Sequence, residues 1–422
     1  MEMKPGYKMT EVGVIPEDWN APRLEEITST SSPICYGIVQ VGASVSGGIP
    51  VVAIKNLGSS YEDDIHFASQ KIEKMYSRSR IQGGDILISV KGTVGRIGIV
   101  PIPFLGNISR DVARLRTVNI VSNFFCFQML RSNRVQQIIS VATVGTTRLE
   151  LSIATLKNIR MPLPPTKSEQ EAIAAALSDA DALIESLEQL IAKKRNIKQG
   201  AMQELLTGKR RLPGFSGEWN TVVVEDVIFK HFCGPSPTCE ERNISTDYEW
   251  GVLKTTAITW ENGWDWERHK VLPRRFWNQP DIEVLPGDVI VTKAGPRHRV
   301  GVTAWVDHVP RRILVSGKMI LLRPNPKRAH PLMLAAAIST KEAQAFLDQR
   351  TTGMAESQVN FENVVILKTP IRLPEIDEQN AIASLFSDIS TEIGLLQAKL
   401  SKARQIKQGM MQELLAGRIR LV

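Results

Sequence analysis

No stretch of the 422 residues holds eighteen consecutive apolar side chains, so no segment of the sequence has the length and greasiness of a membrane-spanning helix. Cysteine is scarce. Cys35, Cys126, Cys233 and Cys239 are the four in the chain and are irregularly spaced, which fits a reducing compartment and no disulfide framework. The first six residues carry charge with no apolar stretch behind it, so no secretory leader is expected and a cytoplasmic location is. The six histidines are scattered, and there is no His-Glu-x-x-His, Cys-x-x-Cys or Asp-Pro-Pro-Tyr-like stretch. His231, Cys233 and Cys239 resemble a metal corner but lack a fourth ligand at a usual spacing, and packed cysteines beside a surface histidine are the better reading. Catalytic residues and metal ligands are therefore expected to be absent, and no cofactor is expected on this chain.

What the sequence has is an ordinary globular balance, 43% apolar and 23% charged, at a length that suggests two to four domains. The net charge of +8 is compatible with a polyanionic partner without demanding one.

The strongest signal is an internal repeat. Glu169-Gln170-Glu171-Ala172-Ile173-Ala174 returns as Glu378-Gln379-Asn380-Ala381-Ile382-Ala383, a shift of 209 that holds without a gap through Leu212, with 23 of 44 positions identical. Weaker echoes precede it. Trp19-Asn20 matches Trp219-Asn220, Gly84-Asp85-Ile86 matches Gly287-Asp288-Val289, and Thr143-Val144-Gly145 matches Thr351-Thr352-Gly353. Each half thus reads as a more variable globular domain followed by a strongly retained helix.

Both retained segments are amphipathic. Ile173, Leu177, Ala180, Ile184, Leu187 and Ile191 recur at alternating four- and three-residue steps, as do Ile382, Phe386, Ile389, Ile393, Leu396 and Leu400. That spacing is a coiled-coil seam. Ile173, Leu177, Ile184, Leu187 and Ile191 are expected to pair with Ile382, Phe386, Ile393, Leu396 and Leu400; two ordinary bundle helices of one core are the alternative. A helix over residues 169–207 would be about 58 Å long. Gly200 and Gly409 lie inside it and its copy, where each marks a break or a close backbone approach. Since the first helix ends where the second domain begins, paired seams run antiparallel, which makes a dumbbell. The expected fold is α+β: two similar domains, 1–160 and 213–369, with helical segments 161–212 and 370–422 as an antiparallel two-helix spacer.

Equivalent places in the two halves are basic. Nine Lys or Arg lie between 71 and 116, and thirteen lie between 268 and 328. Either cluster alone reads as a solvated surface; its duplication favours one duplex bearing a charge every ~1.7 Å. The loops after the Gly-Asp strands are the candidate DNA-binding segments, Lys91-Gly92-Thr93-Val94-Gly95-Arg96 and Lys293-Ala294-Gly295-Pro296-Arg297-His298-Arg299. Within them Lys91, Thr93, Arg96, Lys293, Arg297 and Arg299 are the candidate contacts, because glycines admit phosphates close to backbone amides and Lys or Arg neutralise them or reach guanine. Turns whose glycines only satisfy a positive φ are the other reading. Neither loop ends in the Gly-Lys-Ser/Thr of a nucleotide-binding phosphate loop. Trp260-Glu261-Asn262-Gly263-Trp264-Asp265-Trp266 could stack bases, though aromatics beside an Asn-Gly turn more often pack a hairpin.

At these residues the chain resembles the specificity subunit of type I restriction–modification enzymes over essentially its whole length. The resemblance rests on Tyr7-Lys8-Met9-Thr10-Glu11-Val12-Gly13-Val14-Ile15-Pro16-Glu17-Asp18-Trp19, on Met161-Pro162-Leu163-Pro164-Pro165 leading to Glu169-Gln170, and on Gln203-Glu204-Leu205-Leu206-Thr207-Gly208 running into Leu212-Pro213-Gly214-Phe215. The second copy carries Leu373-Pro374, Glu378-Gln379 and Gln412-Glu413-Leu414-Leu415-Ala416-Gly417, but Thr369-Pro370-Ile371-Arg372-Leu373-Pro374 lacks the paired prolines of the first. The resemblance implies two target-recognition domains reading a split site in double-stranded DNA, and helices that set the gap and dock two methyltransferase subunits. Restriction/translocase subunits would join them, with S-adenosylmethionine, ATP and Mg on the partners and no membrane involved. A self-contained methyltransferase or nuclease, and a coiled-coil scaffold without DNA reading, are the rival readings.

Overall fold

The computed structural model describes the chain except residues 1–4, 59–60, 62–63, 146–148, 261–262, 311 and 422. Contacts divide it into two units, residues 1–189 with 397–422, and residues 190–396.

The first unit holds a four-stranded antiparallel sheet ordered Cys35–Tyr36, Val112–Leu115, Ile86–Ser89, Ile97–Ile99. Its central strands, Ile86–Ser89 and Val112–Leu115, are buried at every position because both faces are covered. A second sheet, His66–Ala68, Ile49–Val52, Leu105–Ile108, Ile81–Gln82, contains one parallel pair, between Ile49–Val52 and Leu105–Ile108. Helices Asn123–Arg131 and Asn133–Ala142 share the main core, with Phe125, Met129, Val135 and Ile139 fully or nearly buried.

The second unit repeats this plan. Its main sheet is ordered Ile228–Cys233, Met319–Pro324, Val289–Thr292, Thr303–Trp305, the same arrangement strand for strand. A smaller sheet again contains a parallel pair, Gly251–Leu253 with Ile313–Leu314. Helices Pro331–Ile338 and Lys341–Asp348 correspond to the pair in the first unit.

Two long helices, Lys167–Leu205 and Ile376–Leu414, have 39 residues each, close to 58 Å at 1.5 Å per residue. Both run through their glycines, Gly200 and Gly409, without interruption, and a Cβ built on either meets no atom within 4 Å. Each helix stops at a glycine in the left-handed region, Gly208 at φ +71° and Gly417 at φ +68°. Within the first unit the helices pair through Arg404–Glu188 at 2.5 Å and Lys407–Asp181. Within the second they pair through Lys194–Glu392 at 2.8 Å and Lys198–Ser390 at 2.7 Å. In both units one residue number rises as its partner's falls, so the helices are antiparallel. Of the seam residues, Ile173, Leu177, Ile191, Ile382, Phe386, Ile393 and Leu396 are buried, and Ile184, Leu187 and Leu400 are half-buried. The seam is not a separate coiled coil at its ends. Ile173 and Leu177 belong to the first globular core and Ile382 and Phe386 to the second.

Candidate nucleic-acid interface

Each central strand is anchored at its start by a buried carboxylate. Asp85 accepts from the Gln82 amide at 2.9 Å and from Arg116 at 2.7 Å. Asp288 accepts from the Leu285 amide at 2.8 Å and from Arg323 at 2.9 Å. The Gly-Asp motif is therefore a turn lock: glycine supplies the positive φ, and the aspartate ties the turn to the neighbouring strand.

The candidate loops leave the opposite ends of these strands. In the first unit Ser89 Oγ donates to Thr93 O at 2.5 Å and accepts from the Arg96 amide at 2.8 Å. Gly92 and Gly95 turn the chain at φ +73° and +90°. Thr93 and Arg96 stand exposed, and the Arg96 guanidinium donates to Leu57 O at 2.8 Å. Lys91 is tied to Glu150 at 3.0 Å.

In the second unit Lys293 Nζ donates to Asn363 Oδ1 at 3.1 Å, inside the domain. Arg297 is held by Asp348 at 2.5 Å and Glu356 at 3.1 Å, which raise its already high pKa. Arg299 donates to Ile258 O at 2.6 Å and to Thr255 O. The structure thus gathers Lys91, Thr93 and Arg96 in one loop and Lys293, Arg297 and Arg299 in another. All but Thr93 are engaged by carboxylates or internal acceptors, Arg96 through the single Leu57 carbonyl while its side chain stays exposed.

The basic clusters are smaller than a count of charges suggests. Arg114 is 2% exposed, donates to Arg80 O and Pro33 O, and has its pKa lowered by burial. Arg80 is bound to Glu73 at 2.5 Å and Arg116 to Asp85. Lys71, Lys74 and Arg78, on and just after the Gln70–Met75 helix, remain exposed. In the second unit Arg323, Lys270 and Arg268 hold carboxylates, while the exposed Arg274 and Arg275 lie over Trp277 and Phe276 at 5.5 and 4.9 Å. Arg311 lies outside the described residues. Trp260, half-exposed, donates its indole N–H to His298 O at 3.3 Å and so stands beside the second loop; Glu261 and Asn262 of the aromatic stretch lie outside the described residues. His231, Cys233 and Cys239 do not assemble, and no three potential metal ligands cluster among the described residues.

Sequence reasoning missed a second constellation, at the helix starts. Glu169 is buried and bound by Arg420 at 2.9 Å; Glu378 is buried and bound by Arg211. Arg211 and Arg420 are themselves 209 apart, so each repeat's first glutamate takes its arginine from the end of the other repeat. The next residues behave alike. Gln170 accepts from the Ser122 amide at 2.8 Å, and Gln379 from the His330 amide at 2.9 Å, pinning each helix to its domain. Gly417 packs on Trp19 and Gly208 on Trp219, where an added Cβ would fall about 3.2 Å and 3.1 Å from the indoles.

A family model described as type I restriction modification DNA specificity domain matches residues 16–194. The EcoBI specificity subunit of Escherichia coli is 30% identical over 202 residues, 46% of this chain and 43% of that protein. The MjaVIII type I specificity subunit of Methanocaldococcus jannaschii is 22% identical over 435 aligned positions, 96% of this chain and 94% of that protein. The match therefore spans less than half of the Escherichia coli relative and nearly all of the Methanocaldococcus one. Among solved structures, the type I S subunit from M. genitalium superposes with a TM-score of 0.56 at 14% identity, covering 98% of this chain and 99% of that one, a likeness of fold.

Proposed function

We propose that the chain is a specificity subunit of a type I restriction–modification system, as its similarity over residues 16–194 and its internal repeat support, and that it reads a split site in double-stranded DNA, one half-site per globular domain. In this reading it directs two methyltransferase subunits and the restriction/translocase subunits to that site and performs no chemistry itself. S-adenosylmethionine, ATP and Mg belong to those partners.

The observation that carries the reading is the duplication. The same sheet order, the same buried Asp–Arg lock and the same loop position occur twice in a chain without a catalytic constellation in its sequence. Two copies of one reader suit two half-sites. In the first domain Arg96 and Thr93 make the contacts, with Lys71, Lys74 and Arg78 neutralising phosphates. In the second, Lys293, Arg297 and Arg299 do so beside Trp260. Arg297 must exchange Asp348 and Glu356 for phosphate or base acceptors, and Lys91 must exchange Glu150, which makes binding sensitive to salt. Partner docking has apolar surface to cover on the long helices: Leu183 and Ile406 in the first unit, and Leu190, Ile197 and Leu395 in the second, are exposed.

Methylome sequencing of cells expressing the chain with its cognate methyltransferase tests this. A split motif methylated on both strands, absent without the chain, is expected. Exchanging residues 213–369 for those of another such subunit should alter one half of the motif only. A folded, assembled complex that leaves no motif overturns the DNA-reading role, and methyl transfer by the isolated chain overturns the division of labour.

A further inference from the structure

A cleft of about 890 Å³ in the first unit, away from both candidate DNA loops in sequence, is lined by the N-terminal hairpin, the start of the Asn133–Ala142 helix and the end of the Ile376–Leu414 helix. Four of its lining residues are cations, Arg134, Arg404, Lys407 and Arg418, and none is Asp or Glu. Three of the four are already compensated from outside the cleft, Arg404 by Glu188, Lys407 by Asp181 and Arg418 by Glu413. Arg134 is not: no carboxylate among the described residues pairs with it. It is half-buried beside Arg418, and desolvation together with that like charge lowers its pKa. Its guanidinium lies over Gly13, where a Cβ would come within 2.2 Å of a terminal nitrogen.

The floor is apolar. Half-buried Met411, backed by the buried Met129 and Leu415, lies with Val14, which is 40% exposed on the hairpin, and Gln137, Gln408 and Gln412 add amides. One unmet positive charge over a methionine-lined floor does not suit the evenly spaced charges of a phosphate backbone. It suits a protein segment with one apolar face and one or two carboxylates, since methionine adapts to an incoming apolar side chain.

The second unit supplies an internal control. Ser132, Val135 and Gln136 correspond to Thr340, Ala343 and Gln344 at a shift of 208: both caps accept from the third amide, and both glutamines donate to the backbone six residues earlier. At that shift Arg134 becomes Glu342, an exposed carboxylate. The helix face opposite is retained, with Arg195, Lys198 and Gln199 standing 209 positions before Arg404, Lys407 and Gln408. The two ends of the repeat therefore offer opposite charge at one equivalent point.

We propose that the cleft around Arg134 docks an acidic, amphipathic segment of a protein partner, and that the equivalent surface at Glu342 does not. The test titrates the full chain with a fluorescein-labelled peptide of leucine and glutamate at helical spacing and, separately, with mixed-sequence duplex DNA. Wild type should bind one peptide, and Arg134→Glu should weaken it at least tenfold with duplex affinity unchanged. Glu342→Arg should raise the stoichiometry to two. Arg134→Gln, which keeps size and loses charge, decides the matter should the glutamate variant fail to fold. No peptide binding by wild type, or equal binding by folded Arg134 variants, overturns the proposal. So does a parallel loss of duplex affinity, which would make the cleft a nucleic-acid surface, or a loss of self-association, which would assign it to a second copy of the chain.

Discussion

Glu169 and Glu378 show why a residue pair can be strongly retained in a repeat without any catalytic role. Each is a nearly inaccessible carboxylate, about 1% exposed, and each is satisfied by an arginine that the chain reaches far from it, 251 residues later for Glu169 and 167 earlier for Glu378. Removing one partner of a buried ion pair costs about 3–5 kcal/mol because the other charge is left unpaired. Arg420→Met should therefore destabilise the first unit by about 3 kcal/mol, since it strands Glu169 and also frees Asp18, whose pKa Arg420 holds down. Hydrogen exchange should report this as lost protection in residues 7–19 and 167–175, with residues 331–373 unchanged; uniform exchange across the chain would contradict it. His330 offers a pH test. It caps the Pro331–Ile338 helix through Nδ1, accepting from Leu332 N at 3.2 Å, and burial pushes it below its ordinary 6.5. The unfolded chain takes up this proton more readily than the folded one, so the contribution to stability is present above the ordinary 6.5 and falls as the pH drops beneath it. Exchange protection of residues 331–338 should decline on going from pH 7.5 to 5.5 on scaling to intrinsic rates. The variant His330→Ser, which copies Ser122 at the equivalent cap of the first unit, should lose that dependence.

At the scale of elements, the long helices were the most legible part of the chain. A gap-free repeat with an apolar residue every three or four positions predicted residues 169–207, and Lys167–Leu205 formed. The short strands at the Gly-Asp turns were also visible, because a β-branched run after a turn has few alternatives, and Ile86–Ser89 and Val289–Thr292 are the central strands. Which strands pair was not visible, since strands of two to four residues carry too little pattern to set a register. Residues 123–142 and 331–348 each hold two helices where the apolar pattern runs on as one. Ser132 and Thr340 cap new starts there, and a cap inside an apolar pattern is easily read through. Charge counting failed for a related reason: Arg114 and Arg116 add to a basic tally yet serve the interior. Gly200 and Gly409 were ambiguous in sequence and are plain helix interior in the structure, with open space at both Cβ positions. Gly200→Ala and Gly409→Ala should each stabilise by about 1 kcal/mol, read as a raised denaturant midpoint at unchanged slope. A fall in stability would mean that the backbone at these points meets something.

At the scale of the whole molecule, neither unit coincides with one repeat of the sequence. The first needs residues 397–422 and the second begins inside the central helix, so each domain is completed by the far end of the other repeat's helix. Gly417 on Trp19 and Gly208 on Trp219 are the same closure made twice. Sequence similarity alone pointed to the repeat, but the exchange of ends became visible only once Arg211 and Arg420 had partners. Under the proposed reading, the helix pair is also what fixes the gap between half-sites. One heptad inserted into each long helix, between Leu177 and Ile191 and at the facing level of the other, keeps the seam in phase and adds about 10.5 Å. At ~3.4 Å per base pair that is about three base pairs of gap. The methylated motif should then keep both half-sites and lengthen its gap by that amount, with activity reduced where the added duplex, about a third of a turn, misaligns the two readers. A new half-site at the old gap would mean that the helices do not measure distance, and that the insertion acted by distorting a domain.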